Sequence, residues 1–428
     1  MSAPAINSAT ATPAPVVVKH WKDPILFTVL ALLAVLLVGI NAPASEVTFR
    51  MGDGIRWAEI PKLSLSAVAY GWASALIMVV IAALAIARMN SGKDLPTAAK
   101  GVFWFFFITG VLVWAIGSAK SSEVSLINLL SGALALSIPM IFGSMGGLLC
   151  ERSGIVNIAI EGQLLLGAFS AVLVGSLTQN PWAGLLAAMV GGMLVSLLLA
   201  VFSIKYIVDQ TIVGVVVNVL VSGLTGFLFD RLLQPNAQSM NNAPKLPSFE
   251  IPVLSQIPVI GPVLFNQSVL VYLMYIVVGA IWYALNKTRW GLRTRAVGEH
   301  PKAADTLGIN VNRLRFTNVL LAGVVAGMGG AFFTLVSVSS FNDNMTAGQG
   351  YIALAALIFG RWKPFGALFA SLLFGFSLQM QFILSILGTS IPAELLAMMP
   401  YVITILAVAG VVGRSRGPAA SGKPYIKG

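Results

Sequence analysis

The sequence predicts an all-α polytopic membrane protein of about twelve crossings. Three observations carry that expectation. Of the 428 residues 57% are hydrophobic and 10% charged, with a mean hydropathy of +0.89. A soluble domain carries about 25% charged residues, so this chain has less than half the charge needed to cover a water-facing surface. Apolar runs of roughly 16 to 25 residues recur along the chain, long enough to cross a bilayer at about 1.5 Å per residue. Finally, the Lys and Arg residues segregate to alternate loops, as they do where one side of a membrane retains positive charge. Soluble cytosolic, disordered and fibrous classes are excluded.

The elements follow in order. Residues 1–18 are rich in Ala, Pro and Thr, and 1–24 read as a disordered cytoplasmic tail. Runs 25–41 and 66–87 make two leading helices within 25–101. The first, followed by Asn-Ala-Pro-Ala-Ser, has the look of a signal-peptide core. Its preceding tail is long for an n-region, so an uncleaved anchor is expected. Runs 102–118, 126–149, 154–178, 182–204 and 211–232 form a block at 102–232, and 233–267 reads as an extracellular loop. Runs 268–286, 317–338, 340–361, 364–386 and 392–413 form a second block at 268–413, before the tail 414–428.

Charge sets the orientation. The stretch 287–315 holds Lys287, Arg289, Arg293, Arg295, Lys302, Arg313 and Arg315 against Glu299 and Asp305, which makes it cytoplasmic. Counting crossings from it puts both termini inside, with 20 of the 26 Lys and Arg; the other six are Arg50, Arg56, Lys62, Lys120, Arg231 and Lys245. The net charge of +11 therefore reads as loop retention, with no nucleic-acid partner. One cysteine, Cys150, and two histidines, His20 and His300, leave no disulfide, no metal site and no cofactor to expect.

Two blocks of five crossings enter the membrane from opposite sides, because five is odd, so the second is an inverted repeat of the first. The third run of each block opens with polar and glycine residues: Glu151-Arg152-Ser-Gly-Ile-Val-Asn157-Ile-Ala-Ile-Glu161-Gly-Gln163, and Asn344-Met-Thr346-Ala-Gly-Gln349-Gly-Tyr351. Interrupted segments at matching places in inverted halves point to a transport pathway at the repeat interface. Non-helical backbone survives at membrane depth only where protein or water satisfies it. Asn157, Glu161, Gln163, Asn218, Asn344, Thr346 and Gln349 are the candidates for that pathway. Glu161 is the only acid well inside an apolar run, and Asn157, four residues earlier, would share its helical face. Two readings of Glu161 stand level: a group on the pathway, or a carboxyl bonded to its neighbours that braces the break. Asn218 fits interhelical bonding better, Gly323, Gly327 and Gly330 fit close helix contact, and Phe341 and Tyr351 fit interface anchoring.

No catalytic constellation occurs, and an enzyme is not expected. No Ser/His/Asp set, paired carboxylates or phosphate loop can be assembled; Ser91-Gly92-Lys93-Asp94 lacks the glycine spacing and the hydroxyl. In the basic loop, Gly298–Ile309 reads as one short capped helix, with Pro301 at its first position and Gly308 as its stop. About seven residues give about 10 Å of helix outside the bilayer. Such a peg suits docking by a cytoplasmic partner.

At these residues the chain resembles a known family. Glu151 to Gly162, the run Gly298-Glu-His-Pro-Lys-Ala-Ala-Asp-Thr-Leu-Gly308-Ile-Asn310, and the run from Asn344 to Trp362 resemble the permease subunits of bacterial ATP-binding-cassette importers. The branch includes branched-chain amino-acid, ribose and nucleoside permeases, and the likeness is closest to the basic-membrane-lipoprotein-dependent nucleoside permeases. It covers roughly residues 120 to 413, leaving the two leading helices outside. The resemblance implies a multi-pass subunit of the bacterial cell (inner, plasma) membrane. It implies a second permease subunit, a heterodimer being favoured over a homodimer, together with cytoplasmic ATP-binding-cassette ATPases that hold the ATP and Mg. It also implies an extracellular substrate-binding lipoprotein and a small-molecule substrate, nucleosides or related nucleobase or sugar compounds. Glu299, His300, Lys302, Ala303, Ala304, Asp305 and Gly308 would form the ATPase coupling helix, although the family pattern has Glu where this chain has Lys302. The alternative expectation is a stand-alone, ion-coupled secondary transporter that uses Glu161 as its proton carrier.

Overall fold

The computed structural model describes residues 21–52, 60–389, 391–399, 401–402 and 417–427. The chain divides into two compact units, Met1–Val47 with Leu65–Ser118, and Thr48–Ser64 with Ala119–Gly428.

In the first unit, α1 (Lys22–Ala34, extended by the wider-wound turn Val35–Ile40), α2 (Ala67–Asn90) and α3 (Thr97–Gly117) pack together. Phe27 of α1 lies against Phe103 of α3 with ring centroids 4.4 Å apart, and Asp23 pairs with Lys100. The Tyr70 hydroxyl donates to Thr109 Oγ1 at 2.7 Å, satisfying a polar pair between two apolar helices. The sequence groups 102–118 with the crossings that follow; by its contacts α3 packs with α1 and α2 in the first unit.

The second unit holds α4 (Leu126–Arg152), α5 (Ile160–Thr178), α6 (Pro181–Ala200) and α7 (Gln210–Leu228), then short α8 (Ala237–Met240) and α9 (Ile260–Phe265). It continues with α10 (Val269–Lys287), α11 (Arg289–Glu299), α12 (Pro301–Thr306), α13 (Val311–Phe332), α14 (Gln349–Phe359), α15 (Pro364–Leu387) and α16 (Ala393–Ala397). Thr48, Phe49 and Arg50 run parallel to Glu123, Val124 and Ser125 ahead of α4. Among the described residues, ten helices across the two units are long and apolar enough to cross a membrane. The short α14, at 11 residues, is not one of them. It rises about 16 Å against a hydrocarbon core of about 30 Å. Most of the last expected crossing, 392–413, lies outside the described residues.

Lipid cannot drive helices together, so backbone contact must do so. The core of the second unit shows how. A Cβ added at Gly192 or Gly323 would strike the facing helix's backbone, and one at Gly327 would strike the Ala188 carbonyl. Gly146 faces the Ala322 carbonyl at 2.6 Å and Gly167 the Gly327 carbonyl at 2.7 Å, measured from where their Cβ would stand. Helices α4, α5, α6 and α13 thus meet through glycine, as expected of Gly323, Gly327 and Gly330. The outward face of α7, by contrast, leaves Ile212, Val216, Val219 and Phe227 exposed, which is how a helix surface facing acyl chains is built.

Replacing Gly327 with Val would force α13 off α6. We expect a loss of about 1–3 kcal/mol, read as a lower midpoint of thermal unfolding in detergent. Gly279→Ala, whose added carbon meets nothing within 4 Å, does not lower the midpoint.

Candidate site: two interrupted segments and a capped peg

The helix expected from residue 154 starts only at Ile160. Residues 153–159 are turn and extended chain between α4 and α5. Gly154 makes the first bend at φ +94°, a left-handed conformation open chiefly to glycine. Its absent Cβ leaves room for Arg315 Nη2, which would stand 2.6 Å away. The exposed backbone of the break is satisfied from α7: Gln210 Oε1 accepts Val156 N–H at 2.7 Å, and Asn218 Nδ2 donates to the Ile158 carbonyl at 2.8 Å. Asn218 Oδ1 then takes Gly162 N–H at 2.9 Å, so one amide bridges the break and the first turn of α5.

The second break, between α13 and α14, meets the first on one carboxylate. Glu161 is 7% exposed. Its Oε1 accepts the Thr346 hydroxyl at 2.7 Å and Gly348 N–H at 2.8 Å, and its Oε2 accepts Gly350 N–H at 2.6 Å. A side chain at 350 would place its Cβ 2.7 Å from Oε2, so only glycine lets the α14 backbone come this close. Asn218 Nδ2 also reaches the Tyr351 hydroxyl at 3.1 Å. At their other ends the same segments meet again: Arg152 donates through Nε and Nη2 to the Trp362 carbonyl, and Trp362 Nε1 donates to Glu151 Oε2.

The expected pairing of Asn157 with Glu161 on one helical face does not form, because residue 157 is not helical. Asn157 Nδ2 donates instead to Gln163 Oε1 at 3.1 Å, and Gln163 Nε2 donates to Ser196 Oγ at 2.8 Å; Asn157 and Gln163 are fully buried. Asn344 is exposed at φ +52°. Gln349 is half-buried, and its Oε1 is without a partner among the described residues. Tyr351, read from sequence as an interface anchor, is a member of the polar cluster. A phenol one helical position beyond the Gly-Gln-Gly run was its only sequence signal.

The peg forms as one short helix, α12, and a separate helix, α11, precedes it. Pro301 opens α12 at its first position and Gly308 closes it at φ +79°. Asn310 Oδ1 then caps α13 by accepting Arg313 N–H at 3.0 Å. Lys302, Ala303, Thr306 and Leu307 face outward, as do Glu299, His300 and Gly308, while Ala304 is turned in. Leu307 is 80% exposed, an aliphatic tip on an otherwise polar peg. Ala304 packs against Val297, Val311 and Tyr425, and the Tyr425 phenol donates to the Asp305 carboxylate. Burial, and then that hydrogen bond, push the phenol up from its ordinary value, so it remains a neutral donor at physiological pH.

A multi-pass membrane chain whose crossings are broken at two places, with the breaks clasped to each other, has the construction of a transport permease. The chain belongs to the family described as the permease component of the branched-chain amino acid transport system, which matches residues 129–408. Helices α1, α2 and α3 lie outside that match. The family's members are transport components and not enzymes. The guanosine ABC transporter permease protein NupQ of Bacillus subtilis is 42% identical over 304 residues, 69% of this chain and 95% of its own length. The nucleoside ABC transporter permease protein NupC of Lactococcus lactis is 41% identical over 70% of this chain and 96% of its own. A putative glucose ABC transporter permease, TsgC13 of Haloferax volcanii, is 32% identical over 58% of this chain and 75% of its own. No solved structure matches the chain significantly.

Glu161→Gln keeps the size of the side chain but turns an N–H2 toward backbone N–H donors. Leaving buried donors unpaired costs about 1–3 kcal/mol each. The expected result is a clear drop in the thermal unfolding midpoint, with a smaller one for Thr346→Val. Equal midpoints for wild type and Glu161→Gln would show that the carboxylate holds nothing.

Proposed function

We propose that this chain is the membrane permease subunit of an ATP-driven nucleoside importer. A second, related permease completes the conduit, cytoplasmic ATP-binding-cassette ATPases hold ATP and Mg, and an extracellular lipoprotein delivers substrate. The observation that carries the reading is the clasp on Glu161, which joins two interrupted segments in a chain of this family. The names of the relatives, guanosine and nucleoside permeases at 41–42% identity, support the substrate class.

The finer architecture belongs to the same reading. Ten described spans, α14 and the 392–413 stretch make about twelve crossings around a five-plus-five inverted core, with both termini cytoplasmic. Glu161, Thr346, Asn157, Gln163 and Asn218 spend their hydrogen bonds on one another and on the broken backbone, so they hold the conduit's shape. Asn344, exposed, and Gln349, with an unpaired oxygen, are the groups left to meet a neutral, hydrogen-bonding substrate. ATP-driven closure of the ATPases would grip α12 by Lys302, Ala303, Thr306 and Leu307, and tilt the two halves so that access alternates. No bond in the substrate is made or broken. Glu161 is engaged by three donors as a structural clasp, and the relatives favour the ATP-driven reading.

Reconstitution in proteoliposomes with the partner permease, ATPases and lipoprotein tests this. ATP-dependent uptake of labelled guanosine is expected in the wild type. It should fall at least about tenfold in Gly308→Pro, since proline holds φ near −65° where the chain needs +79°, and in Asp305→Lys. Uptake by the lone chain, driven by a proton gradient and indifferent to ATP, would overturn the proposal.

A further inference from the structure

We infer that the segment 417–427 is a strap tying the α12 peg to the first interrupted segment, with Tyr425 and Arg315 as its positioning residues. The inference rests on α12 being the ATPase contact proposed above.

Helix α12 cannot hold its own position. It has six residues, and only Ala304 is buried. Its backing is completed by Tyr425, which fills the cluster of Val297, Ala304 and Val311 and bonds Asp305 through its hydroxyl. The strap is also stitched to the end of α11: Ala420 N–H donates to the Gly298 carbonyl at 2.9 Å, and Ala419 N–H to Glu299 Oε2 at 3.2 Å. Two residues of the expected docking set, Glu299 and Asp305, are thus engaged by the chain's own C-terminal segment.

The other end of the linkage is Arg315 in α13. It is 1% exposed, a guanidinium placed wholly inside the protein. Its Nη1 donates to the Lys423 carbonyl on the strap at 3.0 Å, and its Nε donates to the Ser153 carbonyl at 3.0 Å. Ser153 opens the break that leads through Gly154 to Glu161. A side chain at Gly154 would displace Arg315, and Gly422 of the strap comes within 3.6 Å of Val156 at its Cβ position. A continuous series of contacts therefore runs from α12 through Tyr425, Lys423 and Arg315 to Ser153. Contiguity alone does not establish energetic coupling, so the test must measure coupling itself.

Two measurements serve. Hydrogen exchange on the purified full-length chain in detergent compares wild type with Tyr425→Ala. Faster exchange is expected at 301–308 and also at 153–157, which the Tyr425 ring does not touch. Acceleration confined to 301–308 would overturn the strap. In the reconstituted importer, guanosine uptake per ATP hydrolysed should fall about fivefold or more, the low end of coupling between sites, while hydrolysis stays within about twofold of wild type. Tyr425→Phe, which keeps the ring, should retain most of the ratio. Combining Tyr425→Ala with Arg315→Lys should be no worse than the more severe single change, as for two residues in one linkage. An unchanged ratio, or hydrolysis and uptake falling together in every variant, would overturn the strap. If wild type shows no ATP-dependent guanosine uptake, the nucleoside-importer reading fails, and the exchange result alone then decides whether the strap exists.

Discussion

A carboxylate that has left water must be given donors, and in this protein the Glu161 carboxylate receives three of them from a different part of the chain. That requirement organises the surroundings. Two stretches of backbone leave the helical state between apolar helices, and an unpaired N–H or C=O away from water costs several kcal/mol, on the order of a lost hydrogen bond in hydrocarbon. Neither break could persist alone. The first is met by the Asn218 and Gln210 amides, and the second turns its N–H groups onto Glu161. The Arg152–Trp362 and Trp362–Glu151 bonds add a second join, between the start of the first break and the chain just beyond α14.

The glycine contacts serve the same end by other means. Where α4, α5, α6 and α13 touch, backbone meets backbone, and dispersion and weak polar contacts replace the hydrophobic drive that lipid cannot provide. Rigid packing around the clasp keeps the donors where the carboxylate needs them. Polar and small residues are thus two parts of one solution to folding without water.

Much of this could be read from the sequence, and what could be read was local. Apolar runs marked the spans because lipid demands about 20 apolar residues in a row. Pro301 and Gly308 marked the ends of the peg because a proline and a glycine have strong positional preferences. The interrupted segments were visible as polar insertions. Their partners were not. Asn157 was matched to Glu161 by helical spacing, but the chain there is not a helix, and the amide went to Gln163, six residues on. Arg315 looked like one more loop cation, although it is buried and bonded to two carbonyls far away in sequence. Tyr425 gave no sign at all, since a phenol near a chain end has no periodicity to betray it. The grouping of 102–118 was also out of reach, because apolar length says nothing about which neighbours a helix chooses.

The exposed Leu307 bears on how this permease would assemble. An aliphatic side chain left 80% in water at the tip of a polar helix forgoes about 1.5–3 kcal/mol of burial until another surface covers it. In the importer proposed above, the ATPase surface that grips α12 would relieve this penalty. On that proposal a surplus of this subunit would keep an adhesive spot facing water, and balanced production with its partners would follow from the chemistry of a single leucine.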